Sequence, residues 1–320
     1  MSTVLITGGC GFVGSHLARF LLERDYNVIL MDLAVDERLV KDIKDKSLIV
    51  KVDITNATQL TEVFKKYRVD VVAHYAALLS SAADSNPHLG YKVDFEGVWN
   101  VYNAARATEV ESVIFASSVA AYGPEVLQQA KENAYTVPQT LYGISKQFGE
   151  MLGLWFYRKY GVQFVAFRYA SIIGPGRRNG GASAYSTLIV QKPAQGEPYE
   201  VSVREEDAMP IAYIKDVVEV TAVAYENIKK LKSRIYNVAS LNPSPTAGEL
   251  ASRVKKHIPN AKIAFDPNPA ITDIVKSWPR NLDTSRIQSE LNWRPKYSNL
   301  DTLTSDFIRE VKQHPEVFYI

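Results

Sequence analysis

Tyr142 and Lys146 stand four residues apart, one turn of a helix, so both side chains can leave the same helical face. The spacing has a chemical use. A free phenol titrates near ~10 and is a poor base at neutral pH, but a nearby ammonium would favour its phenolate. Tyr142 is therefore a candidate base for an alcohol proton, with Lys146 tuning it, and Ser118, just past a strand-like run, could hydrogen-bond the same oxygen. A Tyr–Lys pair at this spacing also occurs on ordinary surface helices, so its weight depends on its surroundings.

A glycine pattern far upstream supplies those surroundings. Gly8-Gly9-Cys10-Gly11-Phe12-Val13-Gly14 follows a strand-like run and opens a helical one, the context in which such glycines cradle a dinucleotide. Gly8 permits a tight turn, Gly11 a close backbone approach to pyrophosphate, and Gly14 close helix–strand packing. Phe12 and Val13 begin a helix whose free N–H groups and dipole favour phosphate. Asp32 closes the second strand, where a carboxylate would accept hydrogen bonds from ribose hydroxyls and repel a 2′-phosphate, so NAD is expected over NADP. Arg38, a few residues on, is read as a solvated helix position rather than a phosphate ligand. Asp53-Ile54 after the third strand and Ala76-Ala77 after the fourth fall at carboxyl strand ends and are expected beside adenine and ribose. With Ser117-Ser118 after the fifth strand, three features converge on one crevice, where an alcohol would give its proton to Tyr142 and its hydride to a nicotinamide.

The elements that must position these groups read as alternating βαβ units, the pattern of a doubly wound, Rossmann-type α/β sheet. Strands are expected at Val4–Thr7, Asn27–Met31, Leu48–Val52, Val69–Tyr75, Ser112–Ser117 and Gln163–Arg168, with helices near Phe12–Glu23, Ala57–Tyr67, Leu89–Thr108 and Tyr142–Tyr160. After Arg168 the rhythm breaks at Gly174-Pro175-Gly176, Gly180-Gly181 and prolines 193, 198 and 210. Ile211–Ile214, the helix from Lys215 and Ile235–Val238 look regular enough to return to the first lobe. The expected division is an NAD-binding domain of about 1–171 plus about 211–240, and a smaller mixed substrate lobe of about 172–210 plus 241–320, ending in a helix near Leu300–Val311.

Composition sets the outer limits. The 320 residues are 46% hydrophobic and 22% charged, and Lys+Arg 37 against Asp+Glu 35 leaves a formal +2, too balanced for a nucleic-acid grip. No apolar run is long enough for a membrane span. Cys10 is the only cysteine, which excludes an intrachain disulfide and a cysteine-based metal cluster; no metal is expected. The N-terminus runs into the glycines without an export signal, and a reducing cytoplasm is the expected compartment.

Taken together, Thr7-Gly8-Gly9-Cys10-Gly11-Phe12-Val13-Gly14, His74-Tyr75-Ala76-Ala77, Ser117 to Gly123, Tyr142-Gly143-Ile144-Ser145-Lys146 and Phe167-Arg168-Tyr169 resemble the extended short-chain dehydrogenase/reductases, the NAD-dependent epimerase/dehydratase group. The resemblance covers nearly the whole chain. It implies Ser118, Tyr142 and Lys146 as catalytic triad, Tyr75 and Tyr169 near the cofactor, and a homodimer through the helices at Leu89–Thr108 and Tyr142–Tyr160.

Nucleotide-sugar epimerases of this group carry an Asn shortly after the strand equivalent to Arg168-Tyr169 and an arginine that clamps the diphosphate. Here Ala170-Ser171 and Met209-Pro210 stand instead, which disfavours a nucleotide sugar unless Arg177, Arg178 or Arg204 substitutes. Ala76-Ala77-Leu78-Leu79-Ser80, Asn86-Pro87, Met209 to Tyr213 and Ser277-Trp278-Pro279 resemble short-chain-type L-threonine dehydrogenases, whereas Gly176-Arg177-Arg178-Asn179 replaces their Gly-Thr-Thr-Asp and looks closer to sugar-acid dehydrogenases. The expected substrate is a small hydroxy or amino-hydroxy acid. Ser80 and Ser183 could bond its carboxylate beside Ser118 and Tyr142, and Arg177 or Arg178 could add charge, the alternative for that pair being solvated surface. Trp278 is either a substrate contact or lobe packing. A 4-epimerase is the second reading; an idle NAD-binding protein, which has no use for an intact Ser-Tyr-Lys set, is the third.

Overall fold

The computed structural model describes residues 2–126, 128–178 and 180–320. Its centre is a seven-stranded parallel sheet, in spatial order Ile235–Val238, Gln163–Tyr169, Ser112–Ser118, Val71–His74, Thr3–Thr7, Asn27–Asp32 and Leu48–Lys51. The strands are short apolar runs because helices cover both faces. Alternation sends Val4 and Ile6 into one apolar cluster, with Leu17 and Leu21 of the helix Phe12–Leu22, while Leu5 packs opposite among Leu60 and Phe64 of the helix Ala57–Lys66. Each such fully buried side chain contributes about 1.5–3 kcal/mol.

In register, Thr7 pairs with both Met31 and His74, and Ser118 with Tyr169, so the carboxyl ends of the strands form one rim. Chain order reverses between Thr3–Thr7 and Val71–His74, which opens a crevice at that rim.

The helix Leu141–Tyr160 begins where Thr140 Oγ1 accepts from Gly143 N at 3.0 Å and ends at the left-handed Gly161. It lies close to the sheet because Gly149 and Gly153 have no side chains. A Cβ there would stand 2.3 Å from Phe115 and 2.2 Å from Phe164. That approach lowers Tyr142 and Lys146 toward Ser118.

One expectation is corrected. The single helix expected at Leu89–Thr108 starts earlier, at Pro87, and is divided into Pro87–Tyr91, a π-helical turn Lys92–Glu96, and Gly97–Ala107. The wide turn carries Asp94 into the interior, where its Oδ1 accepts from Leu78 N at 2.8 Å. Ile211–Tyr213 does not join the central sheet: Ile235–Val238 occupies the edge beside Gln163–Tyr169, and Ile211–Tyr213 pairs with Ser171–Ile173 in a separate parallel ribbon. Pro193 lies in the last turn of the helix Tyr185–Ala194, where it limits that helix instead of preventing it. Among the described residues, no helix is long and apolar enough to cross a membrane.

Candidate active site

A cavity of about 1300 Å³ runs along the carboxyl rim, lined by Gly8, Gly11 to Gly14, Asp32, Asp53 and Ile54, Tyr75 to Ala77, Ser80, Ser117 and Ser118, Tyr142, Lys146, Tyr169, Arg177, Arg178, Ser183 and Trp278, whereas Arg204, offered as a substitute clamp, is exposed elsewhere.

One end is made of backbone. Gly8 holds φ +67°, and a Cβ on it would stand 2.9 Å from Ala76 N; one on Gly14 would stand 2.3 Å from the Gly8 carbonyl oxygen. The helix Phe12–Leu22 starts at Gly11 with no side-chain cap and no acid in its first turn, so its leading N–H groups and dipole are free to meet an anion. Asp32 faces this loop, its Oδ2 accepting from Cys10 N at 3.1 Å and its Oδ1 from Ala34 N at 3.3 Å, while burial lifts its pKa above the usual carboxylate value. This cradle and carboxylate fit NAD. Arg38 departs from expectation: it lies outside any helix, half-buried on the cavity wall, 3.6 Å from Asp36.

Tyr75 and Tyr169 line the middle of the cavity, their hydroxyls 3.2 Å apart and both in hydrogen-bond contact with Thr221. Thr7 Oγ1 accepts from Ala76 N at 3.2 Å and meets His74 Nδ1 at 2.6 Å, fastening the loop after Val71–His74 to the first strand. Ser117 lines the wall but directs its hydroxyl to buried Glu150, which also holds Arg168.

At the reacting end, Lys146 Nζ lies 5.1 Å from the centroid of the Tyr142 ring and 5.1 Å from that of Phe115. Burial pushes the Tyr142 phenol up to about 12 and Asp94 adds to the rise, whereas Ser118 and Arg177 oppose it. Burial also brings Lys146 down to about 8 against the pull of Asp94. The expected depression of the phenol by its lysine is therefore not what the chain alone produces: burial dominates, and the cation that opposes it is Arg177 rather than Lys146. Asp94, itself lifted to about 6 by burial, went unnoticed in the sequence. The signal was available as an acid that shares a helical stripe with Val98 and Val101, four and seven residues on.

The adjacent arginines separate. Arg178 is exposed and pairs with Asp36 at 3.1 Å. Arg177 turns inward, donating to the Ile172 carbonyl and to Ser183 Oγ, each at 2.8 Å. Its loop is anchored from behind, because the Pro175 carbonyl accepts from His16 Nε2 at 3.0 Å. Gln191 accepts from Gly176 N at 3.1 Å and donates to the Phe318 carbonyl at 2.9 Å. Ser80 is buried at the start of the helix Ser80–Ser85. Trp278 is both wall and packing, lining the cavity while belonging to the apolar core.

The model of the NAD dependent epimerase/dehydratase family matches residues 4–239. The mitochondrial L-threonine 3-dehydrogenase of Sus scrofa is 30% identical over 307 residues, 94% of this chain and 81% of that protein. The GalE-like L-threonine dehydrogenase from Cupriavidus necator, in its holo form, superposes with a TM-score of 0.89 at 29% identity, covering 97% of this chain and all 100% of that one. The UDP-glucose 4-epimerase of Thermus thermophilus in complex with NAD reaches 0.83 at 27% identity, over 96% and 99%. With a glycine cradle that fits the shared cofactor and a match across most of its length, the chain belongs to the NAD-dependent epimerase/dehydratase family and is an NAD-dependent dehydrogenase of the extended short-chain type.

Proposed function

We propose that the enzyme oxidises a secondary alcohol of a small hydroxy or amino-hydroxy acid. The observation that carries this reading is Arg177, an inward guanidinium close enough to Tyr142 to act on its pKa. Gly8, Gly11 and Gly14 cradle the pyrophosphate, Phe12 and Val13 offer first-turn N–H groups, and Asp32 takes the adenosine ribose. Asp53, Ile54, Tyr75, Ala76, Ala77, Ser117 and Tyr169 complete that wall. NAD, when bound, accepts the hydride and adds positive charge beside the phenol. Ser118 holds the substrate hydroxyl, Tyr142 takes its proton, and Lys146 opposes return of that proton by favouring the phenolate. Ser80, Ser183, Arg177 and Trp278 bound the acid, whereas Arg178, tied to Asp36, serves the rim.

A 4-epimerase is the second reading, favoured by the likeness to the Thermus enzyme. Free NADH separates the two: a dehydrogenase accumulates it with small hydroxy acids, and an epimerase converts a UDP-hexose without net reduction. No NADH from any acid, with epimerisation present, overturns the proposal. We also propose a homodimer: Trp99 and Trp155 stack at 6.3 Å yet remain 44% and 39% exposed, with exposed Ile144 and Met151 on the helix of Trp155 and exposed Tyr91 at the end of the preceding helix Pro87–Tyr91. Sedimentation as a monomer at micromolar concentration would exclude it. The lone buried Cys10, its thiol pushed up to about 12, fits a reducing cytoplasm, which cell fractionation tests.

A further inference from the structure

We propose that the substrate is an anionic polyhydroxy acid bearing a carboxylate and no ammonium group, anchored by Arg177. This rests on the dehydrogenase reading and narrows it.

Arg177 is half-buried, and both of its named 2.8 Å partners are uncharged oxygens. Among the described residues, the groups that act on its charge are the phenols of Tyr142 and Tyr199; no carboxylate balances it, and burial draws its pKa down to about 10. A desolvated cation without an anion is costly to hold. A ligand carboxylate supplies the missing charge and matches the planar guanidinium fork.

An ammonium would need the opposite, an acid facing the reacting end. The acidic residues lining the cavity are Asp32, Asp36, Glu37 and Asp53, at the end of the second strand and on the loops after the second and third strands, at the glycine-cradle end. Asp36 is already engaged by Arg38 and Arg178. Asp94 is buried outside the lining, one oxygen held by Leu78 N. An amino group would therefore meet Arg177 and Lys146, both cations, whereas hydroxyls would meet Ser80, Ser118 and Ser183.

The test is an isosteric set: L-threonine, the 2,3-dihydroxybutanoate in which hydroxyl replaces its ammonium, and the neutral amide of that acid. Each is given to the full chain with NAD, following NADH, and titrated calorimetrically onto the enzyme–NADH complex. We expect kcat/KM for the dihydroxy acid to exceed that for L-threonine by about tenfold or more, and its amide to lose a similar factor. Arg177→Ala should raise KM and Kd for the acid about 10²-fold with little change for the amide, and Arg177→Lys should recover part. The wild-type comparison stands if a variant fails to fold. Preference for L-threonine over its hydroxy counterpart, or equal use of acid and amide, overturns the inference and leaves the dehydrogenase reading intact. No NADH from any member, with NAD bound, overturns both.

Discussion

The cradle end of the cavity is built from backbone, and the acid end from side chains. Gly8, Gly11 and Gly14 act by what they lack, so that a loop, a strand end and a helix start approach within distances that a Cβ would block. Arg177, Ser80, Ser183 and Trp278 act by what they carry, on the loop between Gly174 and Gly181 and on segments far apart in sequence. The difference separates two tasks. A site made of main chain accepts almost no substitution and suits the group that a whole family shares, whereas a side-chain site can be exchanged residue by residue to choose a substrate.

The sharpest way to break this division is at the junction of the two ends. Tyr142→Phe removes the proton acceptor while every glycine of the cradle and the Arg177 side chain stay in place; we expect kcat to fall by about 10²–10⁴-fold with NAD affinity within a few-fold. Turnover near wild type would remove the phenol from the mechanism. A smaller effect should come from the cradle alone. In Gly14→Ala the new Cβ meets the Gly8 carbonyl oxygen at 2.3 Å, and because neither backbone atom can swing away, we expect NAD Kd to rise about tenfold or more and the melting temperature to drop. Gly161→Ala is the control: φ +77° also makes it unfavourable, by about 1 kcal/mol, but it stands far from the cavity and NAD Kd should hold. Equal loss of affinity in both would mean that overall stability, not the cradle, governs binding.

The smallest expected effect is on pH dependence. Ionised Asp94 raises the pKa of both Tyr142 and Lys146. Asp94→Asn keeps an oxygen for Leu78 N and removes the charge, so both values should fall and the limb of the kcat/KM profile reporting proton acceptance should move to lower pH, with a change of only a few-fold at its plateau. A limb that stays put, or moves upward, would leave Asp94 as scaffolding.

What could be read from the sequence follows the same division. The cradle was legible because its logic is local: glycines at fixed spacing between a strand and a helix, and an acid at the next strand end. Tyr142 and Lys146 were legible because a helix has a known period. The opposite fates of Arg177 and Arg178 were not, since adjacent loop residues have no period and the split is decided by Asp36 on one side and Ser183 on the other. Asp94 was hidden for a related reason. Its place depends on a π-helical turn and on a backbone N–H sixteen positions earlier, neither of which composition announces. Ile211–Tyr213 had the residues of a strand, but its partner, Ser171–Ile173 outside the central sheet, is a tertiary choice that strand propensity does not specify.

The link from Gly176 through Gln191 to Phe318 has an outcome for how specificity can drift. The Phe318 ring stacks on His16 at 5.2 Å, and His16 in turn grips Pro175, so the segment bearing the guanidinium is moored at two neighbouring points by residues outside the pocket. Selection for a new acid could therefore succeed with no change in the wall, through a swap at position 318 or 191 that retunes the mooring and shifts the anchor by a fraction of an ångström.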